Sequence, residues 1–357
     1  MINKHVTTLL LCLFTLALHA QTSTTPYQPG ITRDGAIYML PKTAVRVTVR
    51  TVKRTYTPGD FCKYAQRYLR LNDVSTEPSV VHEVLSVSQT PIGIADSTKA
   101  FAVKFDARTV AANVALAPDG TLLAINATPR TVELPAAFTP AGKKERKDPR
   151  QFLNEEILAA GSTAKMAELT AQEIYDLRES RSLLIKGQAD FMPKDGEQLR
   201  LMLNQLSQQD DALTSLFAGV VACDTTEHVF IVVPNQPIRS RVLFRFSSHF
   251  GLVAADDLSG APYSISVERL SSIPEMDMTN GKKKKLNDKG IYVNVPSKMR
   301  STITCGNDII DIQEMPAPQF GHVELLSDQL FNKRYKTHLW LNPVSGAVDK
   351  LEAEQPK

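Results

Sequence analysis

Between Thr170 and Gly219 the chain reads TAQEIYDLRESRSLLIKGQADFMPKDGEQLRLMLNQLSQQDDALTSLFAG, with apolar residues recurring at helical spacing. Most other patterned segments alternate with period two, so any fold of this chain must house two helices among strands. Thr170 and Glu173 form a capping box, which marks Thr170 as a helix start or as a renewed start after a shorter turn from Ser162 to Leu169. Ile174, Leu177, Leu184 and Ile185 continue that helix, and Gly187 releases the chain from it. Asp195 is then the expected N-cap of a second helix bearing Leu199, Met202, Leu203, Leu206, Leu213, Leu216 and Phe217, ended by Gly219. So short a connection packs two amphipathic helices as an antiparallel pair.

Two arginines complicate the first stripe. Ala167, Ala171, Ile174, Arg178, Arg181 and Ile185 fall at spacings of four and three. The arginine stems can cover apolar surface while their guanidinium groups reach water, Asp176, Glu179 or Asp190; alternatively, Arg178 and Arg181 bind an anion or a partner.

The strings FLNEEILAAGSTAKMAELTAQEIYDLRESRSLLIKGQADFMPKDGEQLRLML, TYTPGDFCKYAQRYLRL, VLFRFSSHFGLVAADDLSG and GKKKKLND resemble a family of secreted Bacteroidales proteins described as domain of unknown function 4831. The resemblance covers nearly all of the chain after its leader. It implies export and assigns no reaction, cofactor or catalytic residue.

Residues 1–20 read as a signal peptide: Lys4 and His5, an apolar run from Val6 to Leu18, and Ala20 before Gln21. Leu11 precedes Cys12 where a lipoprotein signal has a small residue, so a soluble exported protein is expected, not a lipid-anchored one. No later run approaches the roughly 20 apolar residues of a membrane helix. Beyond the signal lie Cys62, Cys223 and Cys305, whose spacings fit no zinc pattern. They are expected mainly as buried small side chains, with a Cys223 to Cys305 bridge open to an oxidising compartment.

The polar stretch 21–33 reads as a flexible leader. Strand signals follow at Ile37 to Leu40, and at Val45, Val47 and Val49 alternating with Arg46, Thr48 and Arg50. Phe61, Tyr64, Ala65, Tyr68 and Leu69 make a short helix; strands resume at Val80 to Val87 and Phe101 to Phe105. Asp119-Gly120 turns a hairpin between Val114 to Leu116 and Leu122 to Ile125. The proline-bearing basic stretch 129–150 reads as a linker. After Gly219 come short strands at Val229 to Val233, Val242 to Phe246, Tyr263 to Val267, Ile291 to Val295, Thr302 to Thr304, Val323 to Leu325 and His338 to Leu341, as in a sandwich or barrel-like domain. Segments 34–49 and 289–304 echo each other, as do 114–125 and 339–351. Related β modules and the narrow choice of turn chemistry both account for that.

Catalytic patterns are sparse. The five histidines beyond the signal, His82, His228, His249, His322 and His338, share no metal-ligand spacing. Ser162-Thr163-Ala164-Lys165 fits a Ser-x-x-Lys pattern but lacks the companion motifs of serine enzymes, and Ser162 reads better as an N-cap. Glu155-Glu156, Asp210-Asp211 and Asp256-Asp257 are adjacent in sequence, so on a helix they point apart. Lys282, Lys283, Lys284 and Lys285, between Asn280-Gly281 and Asn287-Asp288, are expected at a hairpin tip, either as a solvated turn or as a contact for anionic lipid or glycan.

These readings give an α+β fold with two antiparallel β-rich domains flanking a central helical hairpin. The expected divisions are a signal peptide 1–20, a leader 21–33, a β-rich domain 34–128, a linker 129–150, the helical hairpin 151–219 and a β domain 220–357. With 41 basic against 38 acidic residues the charge is too balanced for a nucleic-acid partner. The expected function is non-catalytic: an exported envelope protein binding or scaffolding a protein or glycan, through Lys282, Lys283, Lys284, Lys285, Arg178 and Arg181, with no cofactor and no metal. The alternative is a hydrolase acting on envelope material, with a site assembled from distant residues.

Overall fold

The computed structural model describes residues 23–28, 36–104, 113–130, 136–140, 142, 147–190, 192–193, 195–271, 290–327, 330 and 336–354. Its spine is β2 (Ala36–Thr57), where Val45, Val47 and Val49 are fully buried, Arg46 and Thr48 between them are half-buried and Arg50 is exposed. Sheet I runs β1 (Ser23–Pro26), β3 (Ser79–Lys104), β2, β6 (Val220–Val232). Sheet II runs β11 (Asp308–Ser327), β10 (Gly290–Cys305), β9 (Ala261–Arg269), β7 (Ile238–Ser247), β8 (Gly251–Val253). Sheet III places β13 (Val348–Glu354) and β12 (Lys336–Leu341) beside β5 (Leu122–Ile125) and β4 (Val114–Leu116). All the strand pairings within these sheets are antiparallel.

The α+β class with antiparallel sheets matches the sequence reading. Strands from 34–128 and from 220–357, however, share sheets I and III. Sheets I and II also enclose one core, in which Val45, Val47, Val49 and Val232 meet Phe244, Ile265, Val267, Met299 and Ile303. A second core joins Tyr38, Leu40 and Val103 to Leu122, Ile125, Ile291, Val293, Leu339 and Leu341.

Several strands are longer than local patterning implied. Pro41 and Pro296 look like strand ends, yet each lies inside a long strand, at a place where the partner chain bulges. Pairing jumps from Met39↔Ala100 to Pro41↔Ala95 in one hairpin and from Val295↔His322 to Ser297↔Ala317 in the other. A proline lacks the N–H that a ladder uses, so a bulge is where it fits. The two echoed segments thus carry the same irregularity, and the bulges meet. Lys99 Nζ donates to the Pro318 carbonyl at 3.2 Å and to Asn294 Oδ1 at 3.4 Å, and burial lowers its pKa. Asn294 Nδ2 donates to the carbonyls of Pro41 at 2.8 Å and Ser345 at 2.9 Å. Gly346, at φ 67°, faces Pro41 and Asn294 so closely that an added Cβ would lie 2.6 Å from the Pro41 ring. Buried polar groups thereby find partners at the junction of the three sheets.

The helices sit at the far end of β2. A 3-10 turn (Cys62–Tyr64) leads into α1 (Ala65–Leu69); α2 (Glu155–Leu158), α3 (Thr163–Lys186) and α4 (Gly196–Ala218) follow. The Thr170 start is corrected: Ser162 Oγ caps α3 by accepting from the Lys165 N–H, and Thr170 lies inside the helix with its hydroxyl donating to the Met166 carbonyl at 2.7 Å. Gly187 in the left-handed region and Asp195, accepting from Gln198 N–H at 2.7 Å, bound the turn as expected. Phe61, Ala65 and Leu69 pack with Ala167, Ala171, Ile174, Leu213, Leu216 and Phe217. The α4 stripe is buried only in its second half. Met202 is exposed and Leu203 half-buried, while Ile185 on α3 is 64% exposed.

Ser23–Pro26, within the stretch expected as a flexible leader, pairs with β3, and Thr24 donates to the Gly290 carbonyl. The thiols are also corrected: Cys62, Cys223 and Cys305 are free, Cys223 is exposed and the other two are half-buried.

Candidate functional site

Where α4 hands the chain to β6, an open groove of about 830 Å³ lies between the helix, the start of the strand and the approach to α2 at Lys147 and Pro149. Asn204, Gln208, Asp211 and Ser215 follow one another at helical spacing along its wall, and Gly219, Val220 and Val221 form its end. Ser215 Oγ is committed to the Ala212 carbonyl at 2.6 Å. Asn204, Gln208 and Asp211 direct amide and carboxylate groups at the opening with no internal bond among the described residues. A shallower hollow of about 500 Å³ continues past Asn204 to Glu197, Arg200 and Leu201. Such a surface can accept and donate hydrogen bonds to an extended polar ligand. In the sequence these residues carry one signal only, their spacing along the polar side of α4.

The arginines expected to bind part company. Arg178 Nε is shared between Asp210 Oδ1 at 3.1 Å and Oδ2 at 3.2 Å, and its Nη2 donates to Thr214 Oγ1 at 3.1 Å. Its partner is on the opposite helix, not at Asp176, Glu179 or Asp190, so Arg178 clamps α3 to α4 beside the groove. Arg181 is exposed on α3. Lys282, Lys283, Lys284 and Lys285 lie outside the described residues.

The Ser-x-x-Lys pattern resolves into a cap, with Lys165 Nζ on Glu168 Oε1 at 2.9 Å and not on Ser162. Asp210 and Asp211 diverge, one to Arg178 and the other to the groove. His322 meets Glu324 at 2.8 Å, and His228 Nε2 lies 3.3 Å from Thr226 Oγ1. Among the described residues no group of three His, Cys, Asp or Glu side chains is placed to hold a metal ion. No helix of the described residues is long and apolar enough to cross a membrane.

Fold and groove together define an antiparallel β protein with a docked helical pair and an open cleft at their junction, lined by apolar surface with a few polar side chains. The chain belongs to the family described as Domain of unknown function (DUF4831), whose sequence model matches residues 34–349. No curated protein and no solved structure matches it.

Proposed function

We propose that this chain is an exported cell-envelope protein that binds or scaffolds a protein or glycan partner without catalysing a reaction, and that the partner seats in the groove beside α4. The groove carries the reading: it is open, and Asn204, Gln208 and Asp211 offer polar groups that the fold does not consume. Open, largely apolar concavities with a few unspent donors and acceptors suit recognition of an extended ligand. Export rests on the order of charged start, apolar run and Ala20 in the first twenty residues.

The test compares wild type with a Gln208→Ala, Asp211→Lys variant. Each is used to capture partners from native envelope extract, and thermal midpoints are recorded in parallel. The variant should lose at least roughly tenfold in affinity for the captured partner, about 1.4 kcal/mol, with its midpoint unmoved. Native protein recovered from the same envelope should begin at Gln21. Equal capture by the two proteins would reject the groove, and an uncut cytoplasmic chain would reject export.

A further inference from the structure

At the junction of the three sheets an amine and an amide meet across 195 positions of chain, Lys99 on β3 and Asn294 on β10. Asn294 is 2% exposed, and its orientation is fixed. Its backbone N–H donates to the Gly346 carbonyl at 3.2 Å, and its Nδ2 to the carbonyls of Pro41 at 2.8 Å and Ser345 at 2.9 Å. Carbonyl oxygens only accept, so Nδ2 is the end of the amide that meets them and Oδ1 is the end turned to Lys99. Lys99 is half-buried, with Nζ 3.4 Å from that Oδ1 and 3.2 Å from the Pro318 carbonyl oxygen. Both of these acceptors are neutral. Burial lowers the Lys99 pKa against the opposing charge of Asp96, itself 6% exposed. An ammonium desolvated among neutral groups is costly to keep, and the amine it yields is the nucleophilic form.

We propose that Lys99 and Asn294 join in an intramolecular isopeptide bond that ties β3 to β10. Nζ adds as the free amine to Asn294 Cγ. The Nζ–Cγ bond forms, the Cγ–Nδ2 bond breaks, and Nδ2 leaves as ammonia with the proton that Nζ sheds. Asp96 is the buried carboxylate that can carry this proton: its charge is felt at Lys99, and only its Oδ1 is spent, on the Thr98 N–H at 3.1 Å and the Thr98 hydroxyl at 2.7 Å. Oδ1 of Asn294 stays as the carbonyl oxygen of the new amide, whose one N–H keeps the Pro318 acceptor. No oxidant, cofactor or second protein is consumed. Fixing amine and amide side by side gives the step the effective concentration that free reactants lack. The product is uncharged, so the fold no longer holds a desolvated ammonium at the junction. Cys62, Cys223 and Cys305 are free, and this bond would supply the long-range covalent tie that they do not, restricting the unfolded chain as a disulfide does.

Protease digestion of the denatured mature chain, read by mass spectrometry, tests the bond. Wild type should yield a branched peptide in which the segments holding Lys99 and Asn294 are joined at a mass one ammonia below their sum. Cyclisation at an N-terminal Gln21 or at Asn280-Gly281 also loses ammonia, so the branched peptide and not the whole-chain mass is decisive. Lys99→Arg keeps a charged donor toward Pro318 and Asn294 but offers no amine. It should give two linear peptides, as should Asn294→Ala, and both variants should unfold at lower urea than wild type. Recovery of Lys99 and Asn294 from wild type only in separate, unmodified peptides overturns the proposal. So does a branched peptide that persists in Lys99→Arg.

Discussion

Tyr38 is 1% exposed, and its phenol ties two hairpins together by accepting from the Tyr292 N–H at 2.9 Å and donating to the Tyr292 carbonyl at 3.3 Å. Burial pushes its pKa well above the ordinary 10. A group whose folded pKa is raised keeps its stabilising contribution below the unfolded value and loses it as pH climbs past that value. The protein is therefore expected to lose stability above pH 10, at up to about 1.4 kcal/mol per pH unit from this residue. Tyr263, raised to about 12 first by burial and then by Cys305, adds to that slope. Urea midpoints between pH 8 and 11 provide the check. Tyr38→Phe should start about 1 to 3 kcal/mol lower, because it removes both bonds between the phenol and the Tyr292 backbone, and should fall less steeply with pH. A parallel slope in the variant would assign the alkaline loss elsewhere. The Ile-Tyr pairs were visible in the sequence echo, but this bond was not, since its partner is a backbone group 254 positions away. Arg178 repeats the lesson. Its position on the stripe edge was legible, whereas Asp210 was not, because helical spacing names only neighbours on the same helix.

α4 makes the same point one level up. Its caps were readable because capping chemistry is local: Asp195 accepts from Gln198 three residues on. Which half of its stripe is core was not readable, because the covering element is the loop and short helix at 58–69, more than a hundred residues earlier. Gly59 makes that closeness concrete, since a Cβ there would lie 2.1 Å from the Leu216 carbonyl oxygen. Leu213, 1% exposed, should cost about 2 to 5 kcal/mol on truncation to Ala, whereas half-buried Leu203 should cost clearly less. Urea midpoints of the two variants beside Gln205→Ala, an exposed control, measure the difference. Equal losses at Leu203 and Leu213 would mean that the exposed half of the helix is covered too. Strand length failed for a related reason: Pro41 and Pro296 end a strand in sequence terms, and only a bulging neighbour lets it continue.

On the scale of the whole molecule, period-two patterning gave the antiparallel character, and pairing order stayed hidden because identical alternation suits many partners. Nothing local says that Val45 will face Val232 or that Ile125 will face Leu339. From Val45 to Tyr56, β2 is bonded on one flank to β3 and on the other to β6, and along its length it enters two cores, one through Tyr38 and Leu40 and the other through Val45, Val47 and Val49. In deuterated solvent this position has a kinetic meaning. Amides of Val45–Val52 can exchange only when one of the flanking strands leaves, so their exchange is expected to be slowest of all and to track global unfolding. Amides of the α3–α4 tip near Ile185 and Met202 should exchange first. Mass-resolved exchange of peptides from the two regions would show it, and a β2 peptide that labels as fast as the helical tip would mean that sheet I opens without the rest. With the expected order, the strand at the centre of sheet I acts as a clock for the whole fold: the last protons it gives up mark the moment at which both of the cores it enters have come apart.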